Sequence, residues 1–326
     1  MKMESIVKPK TPLENFESQR ITPDESFRGV YSEYGSDMER VGNLSDMYDG
    51  RSPDMQFGKV AEALVFSLLT KHPISKHVLV RPTSLYDDYL HGADILVEPI
   101  NTKIQSVAAI DITTNQEDIK GRQLRGGPME ETRPVGLEAK LLRTQRYTDH
   151  LANFDSSLAR DLSAWIESGG LYQPVTKQTE LYFKLAERLF LMKYYKTPDF
   201  DPEPGRPGFV IGGPQAVISI DTMFINKALQ GNKEAGELVA DLSVLEFAYC
   251  IQAEQQYLDD KVRKSKSRNI FFDTHYSKVR AWSNILDKPE LKTLLDDIVG
   301  RNQKNRDFRD QLGYYGTTFQ KVYSAK

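Results

Sequence analysis

The sequence predicts an α/β fold, and three observations support this prediction. Apolar residues at helical spacing come first, at about residues 54–71. Three short runs with the composition of β-strands follow, at 78–80, 93–98 and 107–113. Beyond residue 135, most of the apolar patterns have helical spacing again. Helices on both sides of a group of strands are typical of a domain in which helices cover a sheet.

Three regions are expected along the 326 residues. Residues 1–52 are rich in Ser, Glu, Asp, Arg and Pro and have no sustained period, which predicts a mobile N-terminal arm whose aromatic residues leave room for part of it to dock. Residues 53–225 form the predicted α/β core. Residues 226–326 form a helical C-terminal region.

Composition excludes several classes of protein. A net charge of -3 provides no overall attraction to nucleic acid or to an anionic membrane, so any such binding needs a local patch. The single cysteine, Cys250, can form neither an internal disulfide nor a zinc site made of thiolates. The N-terminus lacks a secretory signal, and no run of about 18 apolar residues occurs. We therefore predict a cytoplasmic protein that makes no membrane contact.

The first predicted helix carries an acidic residue at the edge of its apolar side. Asp54 is suited to cap the helix, and His72-Pro73 ends it. At 100° per residue, Glu62 falls beside the apolar stripe rather than opposite it. It can face a neighbouring strand from there, although an ordinary glutamate at the core boundary would have the same position.

The predicted strands carry two more acids. Asp94 opens the strand at 93–98. In the strand at 107–113, a period of two sends Asp111 and Thr113 to one face and Ile110 and Ile112 to the other. Mg²⁺ and Mn²⁺ prefer carboxylate oxygens, and such ions promote phosphodiester hydrolysis. The sequence therefore predicts a Mg²⁺ or Mn²⁺ site formed by Glu62, Asp94 and Asp111.

Two local basic groups could contact nucleic acid. The first lies in a glycine-rich segment at 115–133, and the second lies at the end of a long helix predicted at 233–264. The basic residues are Lys120, Arg122 and Arg125 in the first group, and Lys261, Arg263, Lys264, Lys266 and Arg268 in the second. A solvated linker explains the first group equally well, and the helix dipole explains the second.

The remaining elements follow from the same patterns. Residues 135–142 suit a strand or the start of a helix. Helices are predicted at 155–168 and 178–195, and strands at 209–211 and 216–221. After the long helix, two shorter helices and an aromatic, basic tail complete the chain.

The order of elements resembles the PD-(D/E)xK nuclease superfamily, whose restriction-endonuclease-like core is a helix, three strands, a helix and a strand. By this resemblance, Glu62 in Phe57–Glu62 matches the acid on the helix, and Asp94 in Gly92–Val97 matches the first strand acid. Asp111 matches the second strand acid. The chain also resembles a group of uncharacterised bacterial proteins with a Gly-x-Asp strand and an Asp-x-Thr strand, over about residues 55–260.

The sequence departs from the family at Thr113, which stands where the family has a catalytic lysine. A hydroxyl cannot stabilise a charged transition state as an ammonium does. Lys120 or Lys140 could take that role. In a second alignment, Asp94 pairs with Glu138-Ala139-Lys140, but this leaves Asp111 without a role.

Three functions follow from these patterns. The first is a metal-dependent nuclease that hydrolyses DNA or RNA, with Asp94, Asp111, Thr113 and Lys120 or Lys140 at the catalytic site. The second is a catalytically inactive relative that binds nucleic acid or protein. The third is a helical assembly protein that forms a homo-oligomer through the long helix.

Overall fold

A computed structural model describes residues 11–28, 30–31, 34–49, 53–100, 106–114, 136–173, 176–199, 201, 203–264 and 268–324. Its helices are α1 (Pro12–Gln19), α2 (Glu25–Arg28), α3 (Tyr34–Asp49), α4 (Pro53–Leu69), α5 (Leu85–His91), α6 (Leu137–Asn153), α7 (Ser156–Glu167), α8 (Lys177–Glu187), α9 (Thr222–Leu229), α10 (Lys233–Lys264), α11 (Ile270–Leu286), α12 (Pro289–Asn302) and α13 (Arg306–Ser324). Within these ranges, no helix combines the length and apolar character needed to cross a membrane.

The strands are β1 (Val78–Pro82), β2 (Ile95–Pro99), β3 (Ala108–Thr114), β4 (Phe190–Lys196), β5 (Pro207–Ile211) and β6 (Gln215–Ile220). Short 3₁₀ turns lie at Pro73–Lys76 and Gly170–Tyr172. The helices and strands together confirm an α/β fold, in which most of the described chain is helical.

A mixed sheet of four strands, in the order β1-β2-β3-β6, lies at the centre of the fold. The β1/β2 and β2/β3 pairs are antiparallel, whereas β3 and β6 are parallel. Ile95 at the start of β2 pairs with Ile110 of β3. Because these two strands are antiparallel, residues that precede β2 lie beside the carboxyl end of β3.

Side chains of β3 alternate between two cores, as the period of two predicts. Ala108, Ile110 and Ile112 belong to the larger core, to which α4 and α10 also contribute. Val107 and Ala109 belong to a smaller core on the opposite face. The sheet therefore has both faces covered, which explains why its strands are nearly continuous in apolar character.

The segment expected to be a mobile arm is folded within its described residues, 11–28, 30–31 and 34–49. Phe16 of α1 and Phe27 of α2 are fully buried. The ring of Phe16 packs on Phe66 of α4, with 5.4 Å between centroids. Isolated aromatic residues anchor this segment. Because they do not recur at a regular spacing, periodicity in the sequence does not reveal that the segment is packed.

The apolar side of α10 packs within the chain. Val239, Leu242 and Phe247 are buried in the larger core, which extends from Phe16 to Val322. Residues on both sides of the expected boundary at 225/226 therefore share one core. The apolar side proposed for association is covered by this chain itself.

Two local assignments differ from the sequence-based expectation. The helix predicted at 178–195 ends at Glu187 in α8, and Phe190–Lys196 forms β4, which pairs with β5. A continuous apolar run does not distinguish a buried strand from a buried helix. Hydrogen bonding to β5 is what makes residues 190–196 a strand. Residues 135–142 contain the start of helix α6, at Leu137.

Candidate functional site

Three carboxylates from separate elements converge at the carboxyl end of β3. Glu62 comes from α4, Asp88 from α5 and Asp94 from the residue before β2. One oxygen of each carboxylate lies within 4.8 Å of an oxygen of the other two. They line a cavity of about 340 Å³, together with Asp111, Thr113 and Lys140. We call Glu62, Asp88 and Asp94 the acidic cluster.

The backbone of the sheet holds Asp94 in place. Its N–H donates to the carbonyl of Ile110 at 2.8 Å. Its Oδ2 accepts the N–H of Ile112 at 2.6 Å. Because both partners belong to β3, the Asp94 carboxylate is fixed relative to Asp111, and Asp94 is only 4% exposed.

Sequence reasoning missed Asp88, because it treated residues 81–92 as a connection. The Ser84 hydroxyl accepts the N–H of Asp87 and caps α5. Gly92 ends this helix with a φ of 64°. A cap, two acids in the first turn and a terminal glycine are the signals that could have identified this helix.

The two adjacent acids of α5 have different partners. Asp87 accepts the N–H of Lys193 at 2.7 Å and that of Tyr194 at 3.0 Å, which ties α5 to β4. Asp88 lines the cavity. The contact of Asp87 with β4 therefore fixes the orientation of α5 and, through it, the position of Asp88.

Asp111 lies beside the acidic cluster and pairs with two basic side chains. Lys140 and Arg143 are three residues apart on α6, so they lie on the same face of that helix. Lys140 Nζ donates to Oδ1 of Asp111, and Arg143 Nη2 donates to Oδ2. Lys140 Nζ also donates to the carbonyl of Ile112 at 2.6 Å. An ammonium is thus present where Thr113 alone could not supply one.

Arg143 also depends on Gly92. The positive φ of Gly92 favours glycine, and a Cβ at this position would overlap the Arg143 guanidinium. Gly92 therefore serves both the end of α5 and the close approach of α6.

A buried arginine from the N-terminal segment completes the surroundings of the acidic cluster. Arg20 Nη2 lies 2.9 Å from Oδ2 of Asp88 and 3.7 Å from Oε2 of Glu62. Its side chain is 4% exposed. Sequence reasoning missed Arg20, because a lone arginine in an aperiodic segment carries no local signal of its partners.

Burial makes the acidic cluster costly to ionise. Burial raises the pKa of Glu62 to about 8, and Asp88 adds to the effect. Burial, with Glu62 and Asp88 as neighbours, also raises the pKa of Asp94 well above its usual range. Burial raises the pKa of Asp88 despite the opposing effect of Arg20. The cluster would therefore gain from a further positive charge.

Burial opposes the charged form of Lys140 in turn. The carboxylates of Asp111 and Asp94 outweigh that effect and raise its pKa. Lys140 is therefore held as an ammonium beside the acidic cluster.

The acidic cluster fits a small divalent cation. Oxygens around an octahedral Mg²⁺ with bonds of about 2.1 Å lie at most about 4.2 Å apart, and one oxygen of each carboxylate in the acidic cluster lies within 4.8 Å of the other two. Oε2 of Glu62 is buried and accepts no hydrogen bond among the described residues. An unsatisfied buried carboxylate oxygen is costly, and a metal ion would remove that cost.

Other residues proposed for the site have different positions. Thr113 is half-buried and lines the cavity. Glu138 lies outside the cavity lining and pairs with Lys321 at 2.8 Å, so it does not join Asp94 as the second alignment requires. Lys120, Arg122, Arg125 and Lys266 lie outside the described residues.

Most of the described basic residues near the end of α10 have acidic partners. Lys261 lies 3.0 Å from Asp149, and Arg268 lies 3.2 Å from Asp273. Arg263 pairs with Asp260. This group is therefore less cationic than its sequence suggests, and nucleic-acid contact there stays a prediction.

We expect the metal-free protein to lose stability as the pH rises from 5.5 to 8.5, and Glu62 to cause part of the loss. The folded-state pKa of Glu62 is about 8 against an ordinary value of 4.5, so the folded state holds the extra proton between these values. That stabilising contribution is complete below pH 4.5 and is lost as the pH rises through 8. Glu62→Gln should reduce the loss by on the order of 2 kcal/mol.

Urea unfolding in a chelator at both pH values measures this difference. Glu138→Gln is the matched control, because Glu138 is a helical glutamate outside the acidic cluster. Equal pH dependence in the wild type and Glu62→Gln would contradict the prediction.

Comparison with known proteins identifies no relative: no protein-family model, no curated protein and no solved structure matches this chain.

Proposed function

We propose that this protein is a metal-dependent nuclease that hydrolyses phosphodiester bonds of DNA or RNA. One observation carries the proposal: the carboxylates of Glu62, Asp88 and Asp94 converge in a cavity that also contains the Lys140 ammonium. Acidic oxygens that suit a hard cation, beside a fixed positive charge, are what phosphodiester hydrolysis requires.

The arrangement of the fold supports the same proposal. Helix α4, antiparallel strands β1 to β3, helix α6 and the parallel strand β6 occur in the order that the PD-(D/E)xK resemblance implies, with α5 between β1 and β2, and with α7, α8, β4 and β5 between α6 and β6. Glu62 on α4, Asp94 immediately before β2 and Asp111 on β3 correspond to the positions where that family has its acids. We include membership in that superfamily in the proposal.

The acidic cluster would hold the ion. Glu62 and Asp94 belong both to this cluster and to the ligand set expected from the sequence, and Asp88 joins them. A bound Mg²⁺ or Mn²⁺ supplies a Lewis acid for the phosphoryl oxygen and lowers the pKa of a bound water. Both oxygens of Asp111 accept from Lys140 and Arg143, so we assign Asp111 to positioning these cations.

Lys140 takes the part that the family gives to a lysine on the strand. Its ammonium lies against Asp111 and the Ile112 carbonyl, within the cavity that Thr113 also lines. There it stabilises negative charge on the phosphoryl group. Thr113 supplies a hydroxyl to the same wall.

The cavity walls suit a nucleic-acid backbone. Lys59 lines one side and donates to the hydroxyl of Tyr89 at 3.3 Å. Arg143 lines another side, and about half of its side chain is exposed. These cations would contact phosphates next to the cleaved bond.

Cleavage of labelled single- and double-stranded DNA and RNA tests the proposal. We expect cleavage of at least one substrate with Mg²⁺ or Mn²⁺, and none with a chelator. Ion binding without cleavage of any substrate would favour the inactive binding protein. Failure to bind either ion, by calorimetry, would contradict both the metal site and the nuclease.

A further inference from the structure

We infer that Arg20 is a built-in cation of the acidic cluster that restricts it to one divalent ion. This inference rests on the proposed metal site and adds its stoichiometry. Arg20 belongs to a segment that the predicted nuclease core does not include, so nothing in the resemblance assigns it a role.

Contacts on several sides hold the Arg20 guanidinium in the cluster. Nη2 lies 2.9 Å from Asp88 and 3.7 Å from Glu62, while Nε lies 3.0 Å from Glu17. The guanidinium carbon lies 4.6 Å from the centroid of the Phe16 ring. With 4% of its side chain exposed, Arg20 is not a solvated surface charge that could easily move away.

The same packing contact positions Arg20 and Glu62. Phe16, one turn before Arg20, packs on Phe66, which is one turn after Glu62 on α4. The helix pair α1/α4 thereby fixes the guanidinium relative to the carboxylate. Because packing fixes its position, the Arg20 guanidinium keeps its positive charge beside the Glu62 carboxylate.

Charge balance then determines how many ions the cluster can hold. Once ionised, the acidic cluster, Glu17 and Asp111 carry five negative charges, and Arg20, Lys140 and Arg143 carry three positive charges, so two negative charges remain uncompensated. One divalent ion neutralises that remainder. The balance includes Glu17, which pairs with Arg20, and Asp111, which pairs with Lys140 and Arg143. A second divalent ion would leave the buried site with excess positive charge.

Removal of the guanidinium charge should change both stoichiometry and affinity. In Arg20→Gln the acidic cluster keeps its three carboxylates and loses a cation that repels any entering ion. We expect this variant to bind Mn²⁺ at least about tenfold more tightly than the wild type, and to accept a second ion. Arg20→Lys keeps the charge and should bind one ion.

Calorimetric titration of the full chain with Mn²⁺ measures the number of ions bound and their affinity. Arg28→Gln is the matched control, because Arg28 is an exposed arginine of the same N-terminal segment that pairs with Glu25. It should bind one ion with the affinity of the wild type. Circular dichroism melting establishes that each variant is folded.

Several outcomes would overturn the inference. The inference is overturned if the wild type binds two ions, whether or not Arg20→Gln folds. It is also overturned if folded Arg20→Gln binds one ion with unchanged or weaker affinity. In that case, metal-dependent cleavage by the wild type would leave the proposed function intact. Wild type that binds no Mn²⁺ would overturn the metal site itself.

Discussion

Asp94→Asn should weaken Mn²⁺ binding at least about 100-fold and cleavage about 1,000-fold, because it removes a charged ligand from the acidic cluster. The fold should survive, since the amide oxygen of asparagine can still accept the N–H of Ile112, as Oδ2 of Asp94 does at 2.6 Å. Burial and the neighbouring acids Glu62 and Asp88 raise the pKa of Asp94, so its ionised form destabilises the metal-free protein. In a chelator at pH 8, the variant should therefore be at least as stable as the wild type.

Asp241→Asn is the matched control, because Asp241 is also a buried aspartate, 2% exposed. Burial opposes its ionisation, but hydrogen bonds from His72, Arg301 and Asn302 lower its pKa. The control should lose about 1–3 kcal/mol of unfolding free energy and keep its Mn²⁺ affinity. Loss of stability with retained ion binding in Asp94→Asn would contradict the assignment of Asp94 as a ligand.

Lys140→Met should lower kcat about 100- to 1,000-fold while leaving the protein able to bind Mn²⁺. The reason is that Lys140 places its ammonium on Asp111 and on the Ile112 carbonyl without being a ligand of the ion. Calorimetry should show Mn²⁺ binding at least as tight as in the wild type, because a nearby positive charge is removed. Single-turnover cleavage of the substrate identified for the wild type measures the loss.

Two further variants sharpen this prediction. Lys59→Met is the matched control, since Lys59 lines the same cavity but donates to Tyr89 rather than to Asp111. It should raise KM more than it lowers kcat. Thr113→Lys in the Lys140→Met background should recover part of kcat, because residue 113 lines the same cavity. Wild-type kcat in Lys140→Met would exclude Lys140 from the reaction.

Local sequence patterns predicted several features of the candidate site. Alternation along β3 correctly predicted that Ile110 and Ile112 share one face, and the structure places them in a different core from Ala109 on the other face. It also placed Asp111 and Thr113 on one side, where both line the cavity. The position of Glu62 at the edge of the apolar side of α4 likewise agreed with its place in the acidic cluster. These predictions succeeded because burial of one face leaves a period in the sequence.

Ion pairs between distant segments leave no such period. Arg20 meets Asp88 across 68 positions of the chain, and Lys140 meets Asp111 across 29. Nothing in the residues around Arg20 identified its partners. Residues 1–52 were predicted to be a mobile arm for the same reason. Phe16 and Phe27 anchor the described part of this segment, but they form no repeat in the sequence.

The sequence by itself determined an α/β fold, the three core strands and three acids of the candidate site. Tertiary structure decided the rest: Asp88 joins Glu62 and Asp94, Asp111 turns to Lys140 and Arg143, and Arg20 enters from the N-terminal segment. The physical reason is that periodicity records which side of an element is buried. Which charges meet depends on how whole elements pack, and residues far apart in the chain decide that together.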